Sequence, residues 1–469
     1  MNKRMQNIRF HGNLVMPDEE RISVAVKISF DKLDATSLDI DLMIISESEK
    51  LRGIHERVYN NRGKDILIEN AWSEGETLII SGIYGISKNN GGIIKIFAQS
   101  VLCGIDNQTI PDNCQCIMKA KFTPGGLLSK SSGRMLNPNG SIEINELKHE
   151  GSFWETDTGK IYINKETEFF EDTIFNRSSL LSTDSTAAYM EWKESGNLSL
   201  STFHISISKR LEVICSVLSL AYRVPVRIYE ISYLYIRNNV QSDLALPSLQ
   251  RFRLLENQEQ MKSEPLLASS NLSGSKFHQI ANAIVNSNIS DAIRKAILYL
   301  SLSRTKYLEE AYFLCFMSLD FIADEILRVN NVDTAIPSGP WKRIEKSLKE
   351  FIKQSEQNDL LKYRCDILDK IPELKRYSFN KKLFQLISFL GVDTNGLWVG
   401  ISFENGLMNA TRIRNQLFHA GKVSSPGDMH EDLIRLQFLS ERIIIKALNW
   451  HQDNIWKWND IELRNANQS

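Results

Sequence analysis

Net charge is nearly missing from this sequence: 56 Lys and Arg stand against 57 Asp and Glu, leaving -1 at pH 7 over 469 residues. Without a bulk positive field, any polyanion site has to be a local patch. Cysteine is scarce too, with six residues and no CxxC pair. Cys114 and Cys116 flank a single residue and have no second ligand pair nearby, so no zinc is expected there. Cys215 and Cys315 lie in apolar helical patterns, where a reduced thiol packs as a small hydrophobe. The eight histidines show no HExxH or comparable spacing, and neither a metal nor a cofactor is expected. The loop "TPGGLLSKSSGR" lacks the GK[ST] ending of a phosphate-binding loop and reads as surface. No apolar run reaches membrane-spanning length, and "MNKRMQNIRFHG" has no apolar core like that of a signal peptide. The expectation is a cytoplasmic, globular chain with no membrane contact. No internal repeat is visible.

What the sequence does have is alternation, and then its loss. In "RISVAVKISF", Ile22, Val24, Val26, Ile28 and Phe30 fall on one side of an extended chain, the mark of a strand with one buried face. The same period recurs in "SLDIDLMII", "TLIISGIYGI", "GIIKIFAQ", "SIEINEL", "NLSLSTFHISIS" and "VRIYEISYLYI". "KNNGG", from Lys88 to Gly92, supplies hairpin-turn chemistry between two of them. One helix, near 208–223, is expected to interrupt the strands before Pro225. Residues 1–240 therefore read as a β-rich region, sandwich-like or in two lobes.

The segment 241–275 is rich in Ser, Asn, Gln and Pro without a sustained period, and reads as a linker. From 276 to 469 the period is helical. Leu308, Tyr312, Cys315, Leu319, Ile322 and Ile326 form one stripe of a long amphipathic helix, and further helix-length segments follow. The fold class expected is α+β and multidomain, with a β-rich N-terminal half and an all-α bundle after it.

Chemistry concentrates in "RNQLFHAG", Arg414 to Gly421. On a helix starting near Asn405, Leu407, Ala410, Ile413, Leu417 and Phe418 share one apolar arc, and Arg414 falls inside it. A guanidinium there calls for a partner carboxylate. Asp320, in a row with Phe313, Met317 and Asp324 on the long helix, is the expected supporting acid. Asn415 and His419 lie four residues apart, a spacing at which the amide can orient the ring. Gly421 reads as a helix C-cap, which places His419 at the negative end of the helix dipole.

The hexamer "RNQLFH" resembles the Arg-Asn-x3-His motif of HEPN domains, helical bundles of many prokaryotic defence and toxin ribonucleases. The resemblance covers roughly 271–467 and includes the earlier helix with "FMSLDFI" and the final apolar helix from Leu433 to Trp450. The order of a β-rich half and then the bundle also resembles ApeA-type anti-phage proteins. That likeness implies a metal-independent endoribonuclease of abortive-infection type with catalytic Arg414, Asn415 and His419. It further implies a homodimer through the C-terminal bundle, an RNA substrate, and an N-terminal half that senses an invader-derived trigger or restrains the nuclease. Arg412 and Lys422 flank the motif. Lys375, Arg376, Lys381 and Lys382 surround Tyr377 and Phe379, which offer rings for base stacking, so these six cations are the expected RNA contacts. "WKRIEKSLKEFIK" adds a basic helix face interleaved with glutamates. The alternative reading is a non-catalytic RNA-binding or dimerisation scaffold built on the same bundle.

Overall fold

The computed structural model describes residues 2–3, 5–15, 21–31, 36–45, 65–70, 77–88, 93–105, 114–124, 127, 132–136, 142–146, 152–157, 159–174, 177–192, 200–237, 240–241, 248–252, 266, 272, 275–420 and 426–449. The chain has a β-rich N-terminal half followed by a helical region, and it divides into two compact units, Met1–Ala281 and Asn282–Ser469.

The first unit opens with β1 (Asn2–Lys3), β2 (Met5–Val15), β3 (Arg21–Asp31), β4 (Asp39–Ile44), β5 (Ile66–Asn70), β6 (Thr77–Ser81), β7 (Gly85–Lys88), β8 (Ile93–Phe97) and β9 (Ser100–Ile105). The alternation seen in sequence is the cause of this packing. Ile22, Val24, Val26, Ile28 and Phe30 of β3 are all buried, and they share one core with Leu78, Ile80, Ile94 and Ile96. β7 and β8 pair antiparallel as the "KNNGG" turn requires, although 89–92 lie outside the described residues.

A second group contains β10 (Cys114–Thr123), β11 (Ser132–Leu136), β12 (Ile142–Glu146), β13 (Ser152–Thr156), β14 (Gly159–Ile174), β15 (Arg177–Trp192), helix α1 (Leu200–Tyr222), β16 (Arg227–Arg237), β17 (Val240–Gln241) and β18 (Ser248–Phe252). Among the described residues the two groups form one hydrogen-bonded path, with β18 between β16 and β9 as one link and β1 against β14 as another. β11 and β12 form a separate hairpin. The loop reading of "TPGGLLSKSSGR" is thereby corrected at Ser132–Arg134, which lie in β11. The side chains of Cys114 and Cys116 lie outside the described residues.

Two expectations from local pattern are corrected here. "NLSLSTFHISIS" alternates like a strand, yet α1 begins at Leu200. Phe203, Ile207, Leu211, Ile214 and Leu218 are buried at helical spacing, whereas Ile205 is 61% exposed, so burial on one helix face outweighs the period-2 pattern. The linker expected at 241–275 contains β18. Its residue Arg251 is fully buried, with Nη1 donating to Glu230 Oε2 at 3.0 Å and Nη2 to the Asp31 carbonyl at 2.9 Å. Phe30 and Tyr229 rings each lie 4.8 Å from its Cζ. Arg251 thus ties β18 to strands from both groups. Polar composition masked this strand because its buried member is a charged one.

The helices that follow are α2 (Ser275–Val285), α3 (Ser290–Ser303), α4 (Leu308–Val329), α5 (Ser338–Gln354), α6 (Asn358–Lys362), α7 (Arg364–Lys370), α8 (Phe379–Leu390), α9 (Phe403–Ala420) and α10 (Pro426–Ala447). The unit boundary falls within α2, a few residues beyond the boundary expected at 276. In α4, Tyr312, Cys315, Leu319, Ile322 and Ile326 are buried as the stripe predicts. Polar contacts lock this helix in place: Tyr312 Oη donates to the Ala410 carbonyl of α9 at 2.9 Å, and Ser318 Oγ to the Ala296 carbonyl of α3 at 2.8 Å. A buried Arg304–Glu441 pair at 2.6 Å joins the end of α3 to α10. Between α5 and α8 the chain builds a small separate core from Trp341, Ile352 and Ile371. Among the described residues, no helix is long and apolar enough to cross a membrane.

Candidate functional site

The motif helix α9 is set by packing at its start and by aromatic contacts at its end. Gly406 faces the Trp398 indole, where a Cβ would fall 2.6 Å from Trp398 Cδ1. That indole donates from Nε1 to Asp432 Oδ1 of α10 at 2.9 Å. Burial pushes the Asp432 carboxyl above its ordinary range, partly opposed by this bond and by Arg435. Farther along α9, Leu407, Ala410 and Ile413 are buried as the helical arc predicts. Thr411 Oγ1 meets Asn380 Oδ1 of α8 at 2.5 Å and donates to its own-turn Leu407 carbonyl at 2.9 Å. The arc ends sooner than expected, because Phe418 is 53% exposed.

Arg414 is half-buried, and its Cζ lies 5.5 Å from the Phe316 ring, 5.4 Å from Phe379 and 5.1 Å from Phe418. Three helices, α4, α8 and α9, each supply one ring of this cage. Among the described residues no carboxylate pairs with Arg414, and its buried Nε has no hydrogen-bond partner. Nη1 reaches Asn415 Oδ1 at a long 3.4 Å. The quadrupoles of the rings, not a counter-ion, offset the loss of hydration.

The expected Arg414–Asp320 pair is therefore corrected. Asp320 and Asp324, one turn apart on α4, both hold Lys382 of α8, the second at 2.7 Å. The lysine that both carboxylates hold has its Nζ 6.0 Å from the Phe379 ring that the guanidinium also faces. Lys382, expected as an RNA contact, has its charge matched by these two carboxylates, and its side chain is 15% exposed. Phe379, offered by the sequence as a base-stacking ring, is half-buried against Phe316, at 5.1 Å between centroids.

Asn415 and His419 are both exposed on α9. The amide bonds Arg414, and among the described residues no hydrogen bond links it to the His419 ring, which corrects the expected orienting role. Arg412, Arg376 and Lys381 are exposed and Lys375 is half-buried. Lys422 and the capping Gly421 lie outside the described residues. On α5, Lys349 pairs with Glu345 at 2.6 Å and Lys346 with Glu350 at 3.8 Å, so that face is largely self-neutralised. The structure thus brings Arg414, Asn415 and His419 to one helix end and adds Phe316 and Phe418 around the guanidinium. The signal for Phe418 is present in sequence, four residues after Arg414, but the helical arc alone places its ring in the core.

Compared with known proteins, the chain matches no family model, no curated protein and no solved structure.

Proposed function

We propose that this chain is an endoribonuclease of the kind that the "RNQLFH" resemblance implies, cutting RNA without a metal ion. The observation that carries the reading is Arg414, a cation held over three phenylalanine rings with no carboxylate partner among the described residues, on the same helix end as the exposed Asn415 and His419. A half-buried guanidinium with no counter-ion among the described residues favours an anionic ligand, and a bridging phosphate fits its planar donor edge. His419 accepts the proton of a ribose 2'-OH, whose oxygen attacks phosphorus while the bond to the 5'-oxygen breaks. Arg414 stabilises the charge that builds on the phosphoryl oxygens, and Asn415 holds the guanidinium from its neighbouring position. The departing 5'-oxygen needs a proton from a second group. A two-fold homodimer through the helical unit supplies it from the protonated ring of the second copy's His419. In this reading Arg412 and Lys381 help lead RNA to the cleft, and the β-rich half senses an invader-derived trigger or restrains the nuclease.

The test is cleavage of labelled RNA in EDTA by wild type and by His419→Ala. Wild type is expected to cut, and His419→Ala to lose at least about a hundredfold in rate. Equal rates for the two proteins would sink the reading. Mixed dimers of Arg414→Ala and His419→Ala chains then report whether one site draws groups from both copies.

A further inference from the structure

The rings beside Arg414 are not used up by the guanidinium. Phe418 is 53% exposed and Phe313, contributed by α4, is 36% exposed. Their centroids are 5.2 Å apart with planes 59° from parallel, so they form one continuous aromatic patch where α4 and α9 meet. The Arg414 guanidinium is 5.1 Å from Phe418, uncompensated by any carboxylate among the described residues. Exposed aromatic surface and an unneutralised cation in contact ask for a ligand that has a flat apolar face and a negative charge within a few ångströms of each other. A nucleotide has both.

We propose that Phe418 and Phe313 are a stacking platform for one unpaired nucleobase, whose phosphate lies on Arg414. Taking RNA as the natural ligand rests on the ribonuclease reading of the same site. The platform selects single-stranded segments, because a base inside a duplex has both faces already covered by its neighbours. It also sets register: the base that stacks on Phe418 fixes which phosphate reaches Arg414 and the adjacent His419. Phe418 and Phe313 thus take the role that composition suggested for Tyr377 and Phe379.

The experiment compares two fluorescent oligomers with equal numbers of phosphates, one of 2'-deoxythymidine and one abasic. Neither has the 2'-hydroxyl that the cleavage reaction needs, so binding is read without turnover. Wild type is expected to bind the thymidine oligomer about tenfold more tightly than the abasic one, the usual scale for one base on one aromatic ring. Phe418→Leu should remove that preference and Phe418→Trp should keep it, whereas Arg414→Met should weaken both oligomers together. Disturbance of the arginine by loss of the ring would also lower both together, so the difference between oligomers isolates stacking. The proposal is overturned if Phe418→Leu retains the preference, if neither oligomer binds, or if a duplex binds as tightly as the single strand. A change of mass for Phe418→Leu in light scattering would overturn it too, by showing that the patch covers a second copy of the chain. RNA cleavage without a base preference refutes the platform alone. A base preference without cleavage refutes the nuclease reading alone.

Discussion

Lowering the pH should destabilise the N-terminal unit through one residue, His204. It lies on α1 with its Nδ1 2.6 Å from the Tyr233 hydroxyl of β16, and it is 7% exposed. Burial holds its pKa down from the ordinary 6.5 to about 4, with a hydrogen bond to Gln250 opposing the shift. Above pH 6.5 the folded and unfolded forms are both neutral at this site, and its contribution to stability is complete. Between 6.5 and about 4 only the unfolded chain takes up the proton, so stability falls as the pH falls. Below about 4 the residue adds no further loss. One pH unit of depression is equivalent to about 1.4 kcal/mol, so the full effect is on the order of 3 kcal/mol. Urea unfolding, followed by circular dichroism at pH of about 7.5 and about 4.5 for wild type and His204→Gln, isolates it. Wild type should lose about 2–3 kcal/mol more than the variant between those conditions. Identical losses would show that the folded protein accommodates a charged imidazole at this position, and the burial argument would fail.

Two further predictions concern the helical unit. Arg414→Ala should cost about 1–2 kcal/mol through its cation–π contacts, while His419→Ala and Asp320→Ala stay within about 0.5 kcal/mol because both residues are exposed enough to remain hydrated; thermal melts in which Asp320→Ala tracks the arginine variant would restore the ion pair that the geometry lacks. Gly406→Ala should destabilise by about 1–3 kcal/mol, outweighing the roughly 1 kcal/mol gain in helix propensity, because the new methyl must displace an indole anchored on Asp432; a more stable variant by calorimetry would mean that Trp398 repacks freely.

The sequence alone determined what depends on direction of burial within one element. Strand β3 and the buried stripe of α4 are readable because side chains repeat every two or 3.6 residues, whatever they pack against. The placement of Arg414 on a largely apolar arc was readable for the same reason, and so was its neighbourhood with Asn415 and His419. Tertiary structure decided what faces each element. It made α1 helical through "NLSLSTFHISIS", because a core lay along the face of Phe203, Ile207 and Leu211. It turned a polar, aperiodic stretch into β18, because Glu230 and the Asp31 carbonyl were waiting for Arg251. It also gave Asp320 to Lys382 and left Arg414 to three phenylalanines. An amphipathic pattern records that a side chain is withdrawn from water, but the identity of the neighbour comes from a residue tens or hundreds of positions away, and no local period carries that information.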